Sequence, residues 1–156
     1  MIEIQRGPRG YRLTTVTHVP RPREEVFAFF ADARNLETLT PPWLHFQIKT
    51  PGEIKMKAGT LIDYRLRVRG LPITWQSVID AWDPPHRFTD HQLRGPYRWW
   101  EHEHRFEEEA GGTRMTDTVD YGIPLGFILH PLLIRRDLLA IFTFREEMMR
   151  RIFPPR

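Results

Sequence analysis

Apolar and charged side chains alternate from Ile62 to Arg69, with Ile62, Tyr64, Leu66 and Val68 on one row and Asp63, Arg65, Arg67 and Arg69 on the other. Successive strand side chains point to opposite faces, so this run predicts an antiparallel strand with one buried and one solvated face. The same period, punctuated by glycine and proline, recurs through the middle of the chain. Strands are predicted over 73–82 and 87–93 around Asp83-Pro84-Pro85, over 97–107 after Gly95-Pro96, and over 113–121 after the loop Ala110-Gly111-Gly112. Residues 11–19, rich in Thr and Val, add a strand after Gly7-Pro8-Arg9-Gly10, and 46–50 a short one, for seven strands in all.

The period changes in two places. After Pro22, Glu24 and Glu25 precede Val26, Phe27 and Phe30, which predicts a short helix over 23–30 with acid at its positive end. Residues 35–39 predict a second, stopped by Pro41-Pro42. Beyond Pro124, Leu138, Ile141, Phe142, Met149 and Ile152 recur at helical spacing in one stripe. A helix over 131–153 would run roughly 34 Å at 1.5 Å per residue, enough to cross a sheet. Arg145 is the misfit of that stripe: it must snorkel, pair with an acid such as Asp117, or await an anionic ligand group. One strand, two short helices, six strands and a long helix describe an α+β domain over residues 1–156. In it a curved seven-stranded antiparallel sheet wraps the terminal helix.

Composition narrows the chemistry. The 156 residues include no cysteine, which excludes a disulfide framework, a thiolate metal site and a cysteine nucleophile. The 23 basic residues exceed the 20 acidic ones by a net +3, and only Lys49, Lys55 and Lys57 are lysines. A small surplus made of arginine is a weak nucleic-acid signal, so no nucleic-acid partner is expected. Arg65, Arg67 and Arg69 read as a solvated strand edge. No apolar run reaches the ~18 residues of a membrane span, and residues 1–20 lack a signal peptide's apolar stretch, so a cytoplasmic protein is expected. No GxSxG, phosphate-cradling glycine loop or dinucleotide fingerprint is present, and no cofactor is expected.

Two stretches carry a resemblance. His18-Val19-Pro20-Arg21-Pro22-Arg23-Glu24-Glu25-Val26-Phe27-Ala28-Phe29-Phe30-Ala31-Asp32, with Asn35-Leu36 and Thr40-Pro41-Pro42-Trp43, resembles the opening of the SRPBCC superfamily. So does Trp100-Glu101-His102-Glu103-His104-Arg105-Phe106, followed by Gly111-Gly112-Thr113 and Thr116-Asp117. The superfamily includes START lipid-transfer domains, pollen-allergen-like proteins and polyketide cyclases. The resemblance implies the helix-grip fold, with a ligand cavity beneath the terminal helix. It is specific for fold and nearly silent about function, because binders, transporters and enzymes share the scaffold.

The candidate site follows from parity. Phe106 must point inward between Arg105 and Glu107, which places Trp100, His102 and His104 on the same inward row. On the returning strand Met115, Val119 and Tyr121 mark odd positions as inward, and Asp117 with them. A hairpin centred on Ala110-Gly111 sets His104 opposite Asp117, and a register two residues shorter sets His102 there. A self-satisfied His–Asp pair, a ligand contact and acid–base chemistry are all compatible with this placement. Burying two imidazoles and a carboxylate in a dry interior is costly, which argues for a hollow, partly wet one. Tyr64, Trp75, Trp100 and Tyr121 supply aromatic wall and Arg145 a cation, completing the expected ligand-binding set with His102, His104 and Asp117. His102-x-His104 with Asp117 also has metal-ligand spacing. With Glu108 it approaches the cupin pattern but departs from it at the spacing from Gly95 and at Met115, so no metal is expected. Residues 122–127 are expected to form a mobile segment gating the cavity. The expected function is binding of a small hydrophobic or aromatic molecule, lipid or polyketide-like. The alternatives are a cofactor-free aromatase/cyclase or dehydratase, and a regulatory protein using the fold for partner contact.

Overall fold

The computed structural model describes residues 1–155. Eight antiparallel strands form one sheet: β1 (Ile2–Gly7), β2 (Gly10–Val19), β3 (Gln47–Ile48), β4 (Leu61–Val68), β5 (Leu71–Asp83), β6 (Arg87–Arg94), β7 (Trp99–Glu109) and β8 (Gly112–Gly122). Their order in space is β1-β2-β8-β7-β6-β5-β4-β3, so every neighbour is also a sequence neighbour except β2 and β8. Between β2 and β3 lie helices α1 (Arg23–Ala31) and α2 (Asn35–Thr38) and a single 3-10 turn at Pro42–Leu44. After β8 come α3 (Gly126–Leu129), a wide π turn over His130–Ile134, and α4 (Arg135–Ile152).

The strand count is corrected from seven to eight. Residues 2–7 alternate Ile2, Ile4 against Glu3, Gln5, and they pair with β2 across Gly7 and Gly10, the turn that sequence placed at the start of the domain. So short and polar a run is hard to see alone; it is a strand because β2 offers it an edge. The terminal helix also starts earlier than 131 and bends at His130–Ile134, where Pro131 lacks the N–H an α-helix would use.

Two hydrophobic clusters fill the space between sheet and helices. One gathers Val26, Phe27 and Phe30 of α1 with Phe88, Phe106, Met115 and Met149. The other joins Leu13, Val119 and Tyr121 to Leu138 and Phe142 of α4. The inward rows predicted for β7 and β8 are the buried ones: His102, His104 and Phe106, and Met115, Asp117, Val119 and Tyr121. Register shifts in β5 at Gln76/Ser77 and Ile79/Ala81 mark bulges, which increase local twist and help the sheet fold over the helix. Arg65 and Arg67 face solvent, whereas Arg69 turns left-handed (φ 51°) and pairs with Asp137 of α4 at 2.8 Å.

The β7–β8 hairpin is closed by Gly111 at φ +86° and Gly112, where an added Cβ would sit 2.1 Å from the Val19 carbonyl oxygen. That obstruction is backbone and cannot rotate away. Gly112→Ala should therefore destabilise the protein by roughly 1–3 kcal/mol or more, read as a lowered urea midpoint with an unchanged slope. A midpoint equal to that of the parent would show that the hairpin and β2 separate freely.

Candidate functional site

β7 and β8 pair with His104 opposite Asp117, the longer of the two predicted registers. The carboxylate is shared more widely than a pair. Asp117 Oδ1 lies 2.8 Å from His102 Nε2 and 2.8 Å from His104 Nδ1. Arg145 Nη2, reaching down from α4, is 3.7 Å from the same oxygen, and the Thr15 hydroxyl donates to Oδ2 at 3.4 Å. His104 Nε2 contacts Asp90 Oδ2 of β6 at 3.1 Å. The result is a buried chain, Asp90–His104–Asp117–His102, capped by a guanidinium.

Position fixes the protonation of each group. Burial alone would raise the Asp117 carboxyl, but Arg145 and the bonds from His102 and His104 outweigh it and hold it well below the ordinary carboxylate range. Asp90 is held below its usual value in the same way, burial being overcome chiefly by the His104 bond. Burial, then the charge of His104, lowers His102 against the pull of Asp117. His104 is raised, because its two carboxylate bonds exceed the burial that opposes them. These directions favour ionised carboxylates, a proton on His104 rather than on His102, and a charged guanidinium beside them.

Asp90, His102, His104 and Arg145 of the cluster line a cavity of about 540 Å³ between α4, the α1–α2 segment and strands β4–β7. Tyr64, Trp75, Trp100, His102, His104 and Arg145 of the expected set all line it. Asp117 does not: it lies behind the two histidines, buried to 3% exposure, and acts by orienting them. Tyr121 is also outside the lining; its hydroxyl is hydrogen-bonded with His130 Nε2 of the π turn at 2.8 Å.

Two lining residues of consequence escaped the sequence reading. Asp90 shares the parity of Phe88, whose ring stacks on His104 at 4.2 Å, so the alternation of β6 carried the signal. Tyr97 is fastened by the Gln92 side chain, which accepts from its N–H at 3.2 Å and donates to its carbonyl at 2.8 Å. No spacing rule announces that clasp. Tyr97, Trp75 and Trp100 meet at ring-centroid distances of 4.7–5.5 Å and form an aromatic corner.

A metal reading meets two obstacles. Asp90, His102 and His104 offer ligand atoms within 4.8 Å of one another. Both ring nitrogens of His104 already contact carboxylates, however, and Arg145 adds a fixed positive charge beside them. Arg145 Nε is buried without a hydrogen-bond partner among the described residues. A guanidinium lining the cavity suits an oxygen acceptor better than a cation.

Comparison with known proteins agrees with this architecture. A family model described as polyketide cyclase/dehydrase and lipid transport matches residues 11–148. No curated protein matches the sequence. Among solved structures, protein Ms6760 from Mycobacterium smegmatis is 18% identical, covers 97% of each chain and superposes with a TM-score of 0.72. The Zhui aromatase/cyclase from Streptomyces sp. R1128 is 20% identical over 90% of this chain and 94% of its own, TM-score 0.63. Ara h 8.0201 is 17% identical over 88% and 96%, TM-score 0.62. At such identities the likeness is one of fold.

Asp117 bonds two imidazoles and faces a guanidinium at once, so its removal strands them. Asp117→Ala should destabilise the protein by roughly 3–5 kcal/mol. Because its folded carboxyl is depressed, its stabilisation is present above the unfolded value near 4 and is lost as pH falls below it. Asp117→Asn should thus flatten the acid limb of a plot of Tm against pH below about pH 4. An acid limb as steep as the parent's would remove Asp117 from this role.

Proposed function

The chain belongs to the polyketide cyclase/dehydrase and lipid-transport family, and from that membership we propose that it encloses a small hydrophobic, aromatic or polyketide-like molecule. The ligand's rings or chain lie against Trp75, Tyr97 and Trp100, and an oxygen-bearing end is turned toward Arg145, His104 and Asp90. The observation that carries this reading is one cavity with mostly apolar walls into which Asp90, His104 and Arg145 are brought together as a connected polar group, Asp32 and the paired Arg69 and Asp137 being the other charged residues of its lining. Its volume of about 540 Å³ lies within the ~300–1,000 Å³ of ligand pockets. Filling such a space with water leaves the rings against polar solvent, and filling it with hydrocarbon leaves Asp90, His104 and Arg145 facing an apolar neighbour. An amphipathic molecule satisfies both.

A cofactor-free aromatase/cyclase or dehydratase is the second reading, favoured by the His–Asp chain and by the fold shared with an aromatase/cyclase. There His104, protonated and lining the cavity, would donate a proton from Nε2 to a ligand carbonyl oxygen and share the charge with its carboxylates. A histidine held between two carboxylates gives up its proton reluctantly. That weighs toward binding.

Two fluorescent probes separate the contributions of wall and cation: anionic 1-anilinonaphthalene-8-sulfonate and neutral N-phenyl-1-naphthylamine. Trp75→Leu should weaken both. Arg145→Met should weaken the anionic probe about tenfold or more, the worth of a charged hydrogen bond (~1.5–3 kcal/mol), and leave the neutral one within twofold. Equal losses for both probes with Arg145→Met would remove the guanidinium from ligand recognition. Binding of neither probe to the parent protein would remove the cavity.

A further inference from the structure

Residues 125–134 read Leu-Gly-Phe-Ile-Leu-His-Pro-Leu-Leu-Ile, ten positions without a charge. One face is turned in: Leu129 and Ile134 line the cavity, and His130 is buried under Tyr11, whose ring stacks on it at 3.5 Å. The other face is as apolar as the first and is open to solvent. Phe127 is 74% exposed, Leu132 67%, Leu125 60% and Ile128 47%. A helical segment apolar all round belongs in a buried setting, which this domain does not provide. Single exposed leucines need no explanation; four large side chains within eight residues form a patch, and patches mark interaction surfaces.

What surrounds the patch names the partner. Arg135 and Arg136 follow immediately and are exposed, and Arg6 is exposed above the ring of Tyr11 at 4.9 Å. Asp137, the acid nearest in sequence, is occupied by Arg69. Apolar side chains rimmed by arginines match the interfacial zone of a bilayer bearing anionic headgroups, where rings enter the acyl boundary and cations stay with the phosphates. No helix among the described residues is long and apolar enough to cross a membrane, so contact would be along the surface.

We propose that the 125–134 segment, with Arg6, Arg135 and Arg136, docks this protein onto anionic lipid bilayers. Docking sets against the membrane the same segment whose inner face walls the cavity. The lipid contact does not depend on what the cavity holds.

Flotation of the full chain with 100-nm vesicles tests it. The protein should float with phosphatidylcholine vesicles containing 30% phosphatidylglycerol and much less with phosphatidylcholine alone, and added salt should release it. Phe127→Asp with Leu132→Asp should lower partitioning at least tenfold. Arg135→Ser and Arg136→Ser should each lower it roughly fivefold, the equivalent of about 1 kcal/mol per basic residue. All four side chains are exposed, so melting temperature and neutral-probe binding should hold, which separates failure of docking from failure of the cavity. Absence of flotation with anionic vesicles, or flotation unchanged by the double aspartate variant, overturns the proposal. So does a concentration-dependent dimer in light scattering that the aspartate variant dissolves, since the patch would then belong to a second copy.

Discussion

A carboxylate held ionised in the interior is the constraint around which the rest is arranged. Asp117 is almost wholly inaccessible, and a lone charge there would make the fold untenable. Its compensation comes from three directions: two imidazoles across the hairpin on β7, a hydroxyl from β2 and a guanidinium from α4. Strands that lie on either side of β8, together with the helix above it, are thereby tied to one oxygen pair. Hydrophobic packing does not demand such a register, because a shift of two residues along β7 keeps every inward side chain inward. The polar cluster does, since it would exchange His104 for His102.

The same cluster explains why the interior is not solid. Met115 belongs to one hydrophobic group and Val119 to the other, and Asp117 lies between them on the same row of β8. A band of charge therefore interrupts the core where α4 crosses the sheet. Rings of Phe30 and Phe142 flank the band, with the Arg145 guanidinium carbon 5.3 and 5.9 Å from their centroids, and these cation–π contacts soften the cost of burial. Beyond the band, β4–β7 present large aromatic side chains that meet one another at their edges and leave open volume in the concavity.

Much of this was legible in the chain. Parity alone placed Trp100, His102, His104 and Asp117 on inward rows, and the Ala110-Gly111-Gly112 loop narrowed their register to two, of which the structure has the one with His104 opposite Asp117. The apolar stripe of the last helix gave Arg145 its inward face, and the acid it finds is one of the three outcomes foreseen for it. Less was visible where partners lie far apart in sequence. Asp90 looks like any half-exposed strand residue until β6 is set beside β7. Tyr121 has the parity of a cavity residue, but its hydroxyl is taken up by His130 of the π turn. β1 carries too little periodicity to declare itself. In each case the missing information is tertiary: which strand neighbours which, and where a helix turns.

The placement of charge also bears on binding versus turnover. A general base needs a lone pair near the substrate and a proton affinity matched to neutral pH. His104 has its two nitrogens spent on Asp90 and Asp117, and His102, kept neutral by burial and by its charged neighbour, turns its Nε2 to Asp117. What the cavity meets is a cluster with its protons already distributed. Such a surface costs little to reorganise when a ligand arrives, which favours selective recognition of an oxygen-bearing end. On the proposed reading chemistry has two openings: a ligand that displaces Asp90 from His104, since Asp90 alone of the two carboxylates lines the cavity, or the ring nitrogen of His102 that is not turned to Asp117.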